Sequence, residues 1–171
     1  MLSYQPAFDP FHAIFRLLRL LPTLGSCPPV ESDKARILDF YMAFPFLATA
    51  VSFKKGQTGL RKIAKGYEYL RPYGGMPDSR DLFLRMAPIQ KMAAETLVAR
   101  GIVDHDAFQQ GVVMPGSVVP PPPLAQRVEE LNAQQATLIE LLKTLCFDYS
   151  LLGVDGLKQR CGLMEHRYDA V

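Results

Sequence analysis

No stretch of this chain approaches the ~18 uninterrupted apolar residues that a membrane-spanning helix needs. Its first apolar run is broken by Arg16 and Arg19, and the basic leading region of a secretory signal is missing. Cysteine is scarce. Cys27, Cys146 and Cys161 are widely spaced and odd in number, which excludes a disulfide framework and the paired CxxC spacing of a zinc site and fits a reducing cytoplasm. Charge is nearly balanced, with 19 Lys and Arg against 17 Asp and Glu for a formal +2, so bulk charge does not mark a nucleic-acid protein. Gly56, Gly59 and Gly66 fit neither nucleotide-binding fingerprint. These absences predict a cytoplasmic protein that is not an enzyme and that uses no cofactor and no metal.

What is present reads as mainly α. At 171 residues and 49% hydrophobic, the chain can bury one real core. Asp9 and Pro10 are a good N-cap and first helical residue. Phe11, Ile14, Phe15, Leu18 and Leu21 follow at helical spacing, and Pro22 is expected to end the run. Ser32 is expected to cap a second, central helix whose stripe is Ile37, Phe40, Tyr41 and Phe44, with Leu38 and Met42 widening it and Pro45 closing it. Asp78 or Ser79 would cap a short helix, Pro88 would open a longer one, and Gly101 suits the residue after its end. Ile102-Val103 and residues 111–114 read as two short strands about a polar turn. That order suggests a winged-helix-like body with a short β-hairpin.

Pro120 to Pro123 favour a stiff polyproline segment. They divide the chain into a body (1–119), a linker (120–123) and a C-terminal helical extension with a tail (124–171). In the extension Leu124, Val128, Leu131, Gln135, Leu138, Leu142 and Leu145 step by four and three, a heptad seam with one polar member. Such a stripe fits a helix packed on its own body or one that faces a partner. In the second case Leu131, Gln135, Leu138 and Leu142 are the partner-binding residues.

Few residues offer chemistry. His12, with Asp9 one turn before it and Arg16 one turn after, would be a general base only beside a nucleophile or substrate site, and none is marked. Helix capping and a structural hydrogen-bond network account for the same residues. Asp39 sits among aromatic residues and is expected to pair with Arg36, His12 or Arg16. Cys161, Glu165 and His166 are too few for a closed zinc shell, and His105, between Asp104 and Asp106, reads as a polar turn. The segment from Lys54 to Arg71 holds six cations (Lys54, Lys55, Arg61, Lys62, Lys65, Arg71) against one Glu, with tyrosines interleaved. It is either a solvated face or a phosphate contact, with Lys54, Lys55, Arg61 and Lys62 as the nucleic-acid-binding candidates.

Two segments carry a resemblance. Ser3-Tyr4-Gln5-Pro6 precedes Asp-Pro-Phe-His-x3-Arg, and Leu-Asp-Phe-Tyr-x2-Phe-Pro follows about two dozen residues on. Together they resemble the small middle component of bacterial ABC three-component systems, which include Lamassu-type anti-phage defence. The matching positions are Asp9, His12, Arg16, Asp39, Phe40, Tyr41, Phe44 and Pro45, within roughly the first 45 residues. The resemblance implies a non-catalytic accessory subunit that bridges an SMC/Rad50-like coiled-coil ATPase and an effector, often a nuclease. DNA would be sensed through the complex, and no membrane is involved. It supplies no catalytic residues, and the motif residues read as structural. A stand-alone winged-helix DNA-binding regulator is the alternative.

Overall fold

The computed structural model describes residues 5–164. Helix α1 (Pro10–Ser26) starts as its chemistry dictates. The Asp9 carboxylate accepts the His12 backbone N–H at 3.0 Å, and Pro10 has no N–H to leave unsatisfied. The helix does not stop at Pro22, which lies inside it. A proline removes one hydrogen bond and crowds the preceding turn. Leu17, Leu18, Leu20 and Leu21 before it and Leu24 after it are all buried, and that apolar face holds the last turn in place.

Helix α2 (Ser32–Ala43) is the centre of the molecule. Glu31, not Ser32, occupies the cap position, and no side chain caps this end. Ile37, Leu38, Phe40, Tyr41 and Met42 are all buried, so the helix is covered on almost every side. The Phe40 ring packs edge-on to Tyr41 and Phe83, at 5.4 and 5.8 Å between centroids, and is tilted against Phe44 at 5.4 Å. Pro45 then opens a stretch of 3-10 turns (Pro45–Ala50). Helix α3 (Thr58–Lys65) turns Leu60 and Ala64 inward.

Helix α4 (Ser79–Ala99) begins at Asp78, whose carboxylate accepts from the Arg80 N–H at 2.9 Å. It runs unbroken through Pro88. The short helix and longer helix expected on either side of that proline are therefore one element. Leu82, Phe83 and Met86 before it and Ala93 and Leu97 after it bury a continuous face, which outweighs the single lost bond. Gly101 follows at φ +71°, and a Cβ there would come within 2.9 Å of Val118 Cγ2.

The expected polar turn at His105 is a short helix, α5 (His105–Gln109), capped by Asp104 through the Ala107 N–H at 2.8 Å. The two arms around it do pair. Asp104 N donates to Met114 O at 3.0 Å and Gly116 N to Ile102 O at 2.8 Å. The regular antiparallel pair, however, joins strand β1 (Val30–Glu31) to strand β2 (Val112–Val113), with Val30 opposite Val113. The mainly helical class with a small antiparallel pairing is as expected. The winged-helix order is altered by the continuous α4.

The C-terminal third differs most from the sequence reading. Pro122 and Pro123 form the first turn of helix α6 (Pro122–Gln134), the one place in a helix where missing N–H groups cost nothing. The seam is broken at Gln135 (φ −110°, ψ 39°), where helix α7 (Ala136–Asp148) begins. Val128, Leu138, Leu142 and Leu145 are buried in the same hydrophobic core as α1, α2 and α4. The prolines therefore do not hold an extension away from a body. A short helix α8 (Leu157–Cys161) follows.

Candidate partner-binding surface

The polar residues embedded in α1 and α2 meet in one buried network. Arg16 grips Asp39 with two donors, Nε to Oδ1 at 2.7 Å and Nη2 to Oδ2 at 3.2 Å. Its Nη1 and Nη2 also donate to the Pro6 and Ala7 carbonyls, at 3.2 and 3.3 Å. Gln90 of α4 donates to Asp39 Oδ2 at 2.9 Å and to the Arg36 carbonyl at 3.1 Å, and accepts from Arg36 Nε at 3.0 Å. Arg36 in turn lies 4.6 Å from the Phe83 ring centroid and reaches Asp33 at 3.1 Å. A buried pair is tolerable only when its remaining lone pairs and protons are satisfied. Among the described residues no buried side-chain nitrogen or oxygen lacks a partner. Of the partners expected for Asp39, Arg16 is the direct one, while Arg36 acts through Gln90.

The other resemblance positions are placed as follows. Asp9 caps α1, Pro45 starts the 3-10 turns, and His12 is on an exposed face. Tyr41 is enclosed, and burial pushes its hydroxyl well above the ordinary phenol value, aided by the neighbouring Cys161 thiol. Burial likewise pushes Cys161 up to about 11. Cys146 rises to about 12, through burial first and then its hydrogen bond with Cys27.

Sequence reasoning grouped Arg19 with Arg16 but gave it no role. In the fold it clamps the α6–α7 joint. Its Nε donates to Asn132 Oδ1 at 2.9 Å, its Nη2 to Gln135 Oε1 at 2.6 Å, and its carbonyl accepts from Asn132 Nδ2 at 3.0 Å. Burial pulls its guanidinium below the ordinary arginine value. Gln135 thus serves an internal contact. Leu138 and Leu142 are 1% and 0% exposed, which corrects their expected place on a partner-facing seam. Leu131 alone of that apolar set keeps a half-buried position at a groove. Gln90 was missed altogether, since a lone glutamine in a helical stripe carries no periodic signal.

The basic segment divides in two. Lys54 is tied down: its ammonium donates to the Asp148 carbonyl and lies 4.7 Å from the Tyr149 ring centroid. Arg61 donates to the Val51 carbonyl at 3.1 Å. Lys55 and Lys62 are exposed. Tyr67 and Tyr69 stack at 6.3 Å, and Arg71 is ion-paired with Glu68, which its hydrogen bond holds below the usual carboxylate range. Among the described residues no three His, Cys, Asp or Glu stand together as a metal site; Glu165 and His166 lie outside the described residues. No described helix is long and apolar enough to cross a membrane.

Two depressions flank the Arg16–Asp39 pair. One, of about 360 Å³, is walled by Ala13, Ala35, Ala87 and Ala94, with Asp39 and Gln90 among its lining. The other, of about 530 Å³, runs along α1 beside Arg16 and Arg19 and reaches Leu131 and Arg127 of α6. The family model for the ABC-three component (ABC-3C) system Middle Component 5 matches residues 2–169, and the chain belongs to that family. It is thus an accessory component of a multi-subunit system. No curated protein and no solved structure matches the chain.

Proposed function

We propose that this chain is the non-catalytic bridging subunit of a cytoplasmic anti-phage complex of the Lamassu type. It would join an SMC- or Rad50-like coiled-coil ATPase to an effector such as a nuclease, with DNA sensed through the assembled complex. The observation that carries the reading is membership of the middle-component family over residues 2–169. The buried polar residues support it. Arg16, Asp39 and Gln90 are spent on holding helices together.

Co-expression with the products of its neighbouring genes tests the reading. An affinity tag on this chain should recover a large coiled-coil ATPase and a third subunit in one complex. Phage protection should be lost when the chain is deleted and restored when it is supplied in trans. Purification of the chain alone from that co-expression, with intact protection in its absence, would overturn the proposal. The isolated chain should also show no ATP hydrolysis and no DNA cleavage. Metal-dependent cleavage that disappears with His12→Ala would contradict its non-catalytic role.

A further inference from the structure

Helix α3 ends without the chain unwinding. Gly66 (φ −61°, ψ −18°) and Tyr67 (φ −98°, ψ 8°) keep it turning, so a 3-10 turn (Glu68–Leu70) follows directly. Lys62 and Lys65 stand three apart in α3 and share a face. Both are exposed, as is Lys55, and among the described residues none of the three enters an ion pair. Glu68, the only acid between Lys54 and Arg71, is held by Arg71. The stretch Pro45–Ala50 packed on α3 carries no charged residue. Helix α7, also packed on it, brings Glu140 and Asp148 against Lys143. The face around α3 therefore stays positive.

Exposed lysines alone describe a solvated surface. The rings beside them are a second observation. The Tyr67 hydroxyl lies 3.4 Å from Thr137 Oγ1 on α7, which ties that ring to the body. Tyr69 stacks on it, with centroids 6.3 Å apart and planes 26° from parallel. Tyr69 is nevertheless 77% exposed, so its ring is backed on one face and open on the other. Tyr73 follows, fully exposed, before Gly74 at φ +105°.

We propose that this face binds single-stranded DNA, with a base stacking on the open face of Tyr69 and flanking phosphates meeting Lys62 and Lys65. Every base offers a flat π-face to an aromatic ring, and flexible ammonium groups follow the backbone. A duplex keeps its bases stacked on one another, so it meets the lysines and leaves the ring unused. The choice of DNA over RNA rests on the accessory-subunit reading above.

The test uses the full chain and a fluorescein-labelled twenty-residue oligothymidylate, read by anisotropy at several salt concentrations. The oligonucleotide should bind more tightly than a duplex of equal length. Tyr69→Ala should weaken binding by about tenfold, as loss of one stacked base does, while Tyr69→Phe retains most of it. Lys62→Glu with Lys65→Glu should flatten the salt slope by ~1.4, two phosphates on a single strand. All three residues are exposed, so the melting temperature should hold. The chain has no Trp, so tyrosine emission reports stacking in the unaltered chain, and the bound oligonucleotide should quench it. Absence of binding, equal affinity for the duplex, or binding without quenching would overturn the inference. So would tighter binding of oligouridylate, or displacement by a polyglutamate that binds more tightly. If the oligonucleotide fails to bind while the chain still recovers its ATPase and third subunit, this inference alone falls.

Discussion

Asp39 is a buried junction between helices. It receives Arg16 twice and Gln90 once, so three helices meet at one carboxylate. Asp39→Ala would leave the Arg16 charge buried and unpaired, and should destabilise the fold by about 3 kcal/mol. Urea unfolding should show a lower midpoint at constant slope, and Arg16→Met added to it should recover part of the loss. A second residue-scale expectation concerns alkali. Cys161 and Cys146 keep their protons to about 11 and 12 in the fold, against an ordinary 9.0. The folded state then binds more protons than the unfolded chain above pH ~9, so stability falls as pH rises. What the neutral thiols contribute is fully present below that pH and is lost as pH passes through the folded values. Thermal melts from pH 8 to pH 11 should show this decline, and Cys161→Ala should flatten it. At this scale the sequence was partly legible. Arg16 was among the partners expected for Asp39, because both sit embedded in apolar stripes. Gln90 and Arg19 were not read, because what they do depends on helices distant in the chain.

Elements were legible wherever capping chemistry and periodicity agreed. Asp9, Asp78 and Gly101 sit where local rules place them, and α2 is as central as its all-round apolar surface implies. Several misreadings share one cause: proline was taken as a boundary, ending a helix at Pro22, opening one at Pro88 and making a linker of Pro120 to Pro123. Pro22 and Pro88 lie inside helices and Pro122 and Pro123 begin one, because tertiary burial, or a position in the first turn, removes most of the penalty. The heptad seam misled for a related reason. Its spacing is real, but burial against α1 and α2 uses the same spacing as a partner helix would. Leu138→Glu with Leu142→Glu should therefore unfold the isolated chain, seen as loss of the helical circular dichroism signal at 25 °C. A folded double variant that has merely lost a partner would restore the docking reading.

For the whole molecule, the described residues build one hydrophobic core from both ends of the chain. A version ending at residue 119 should accordingly fail to show a cooperative melt. The surface invites a different test. Lys55 and Lys62 remain exposed while Lys54 and Arg61 are committed to carbonyls of the fold. If the assembled complex uses this face on DNA, Lys55→Glu with Lys62→Glu should weaken binding similarly for all sequences. The salt slope should flatten by about two counterions, measured by titration of the complex at several salt concentrations. An unchanged slope returns this face to solvent. The reach of Arg19 across the chain also has a consequence in time. Its partners lie 113 and 116 residues downstream, and the leucines that close over α1 and α2 come from α7. Long-range closure of this kind slows folding. During synthesis, α1 and its two arginines must wait, apolar and charged at once, until the last third of the chain emerges, so the growing polypeptide should be most vulnerable to proteases and most attractive to chaperones just before α7 appears.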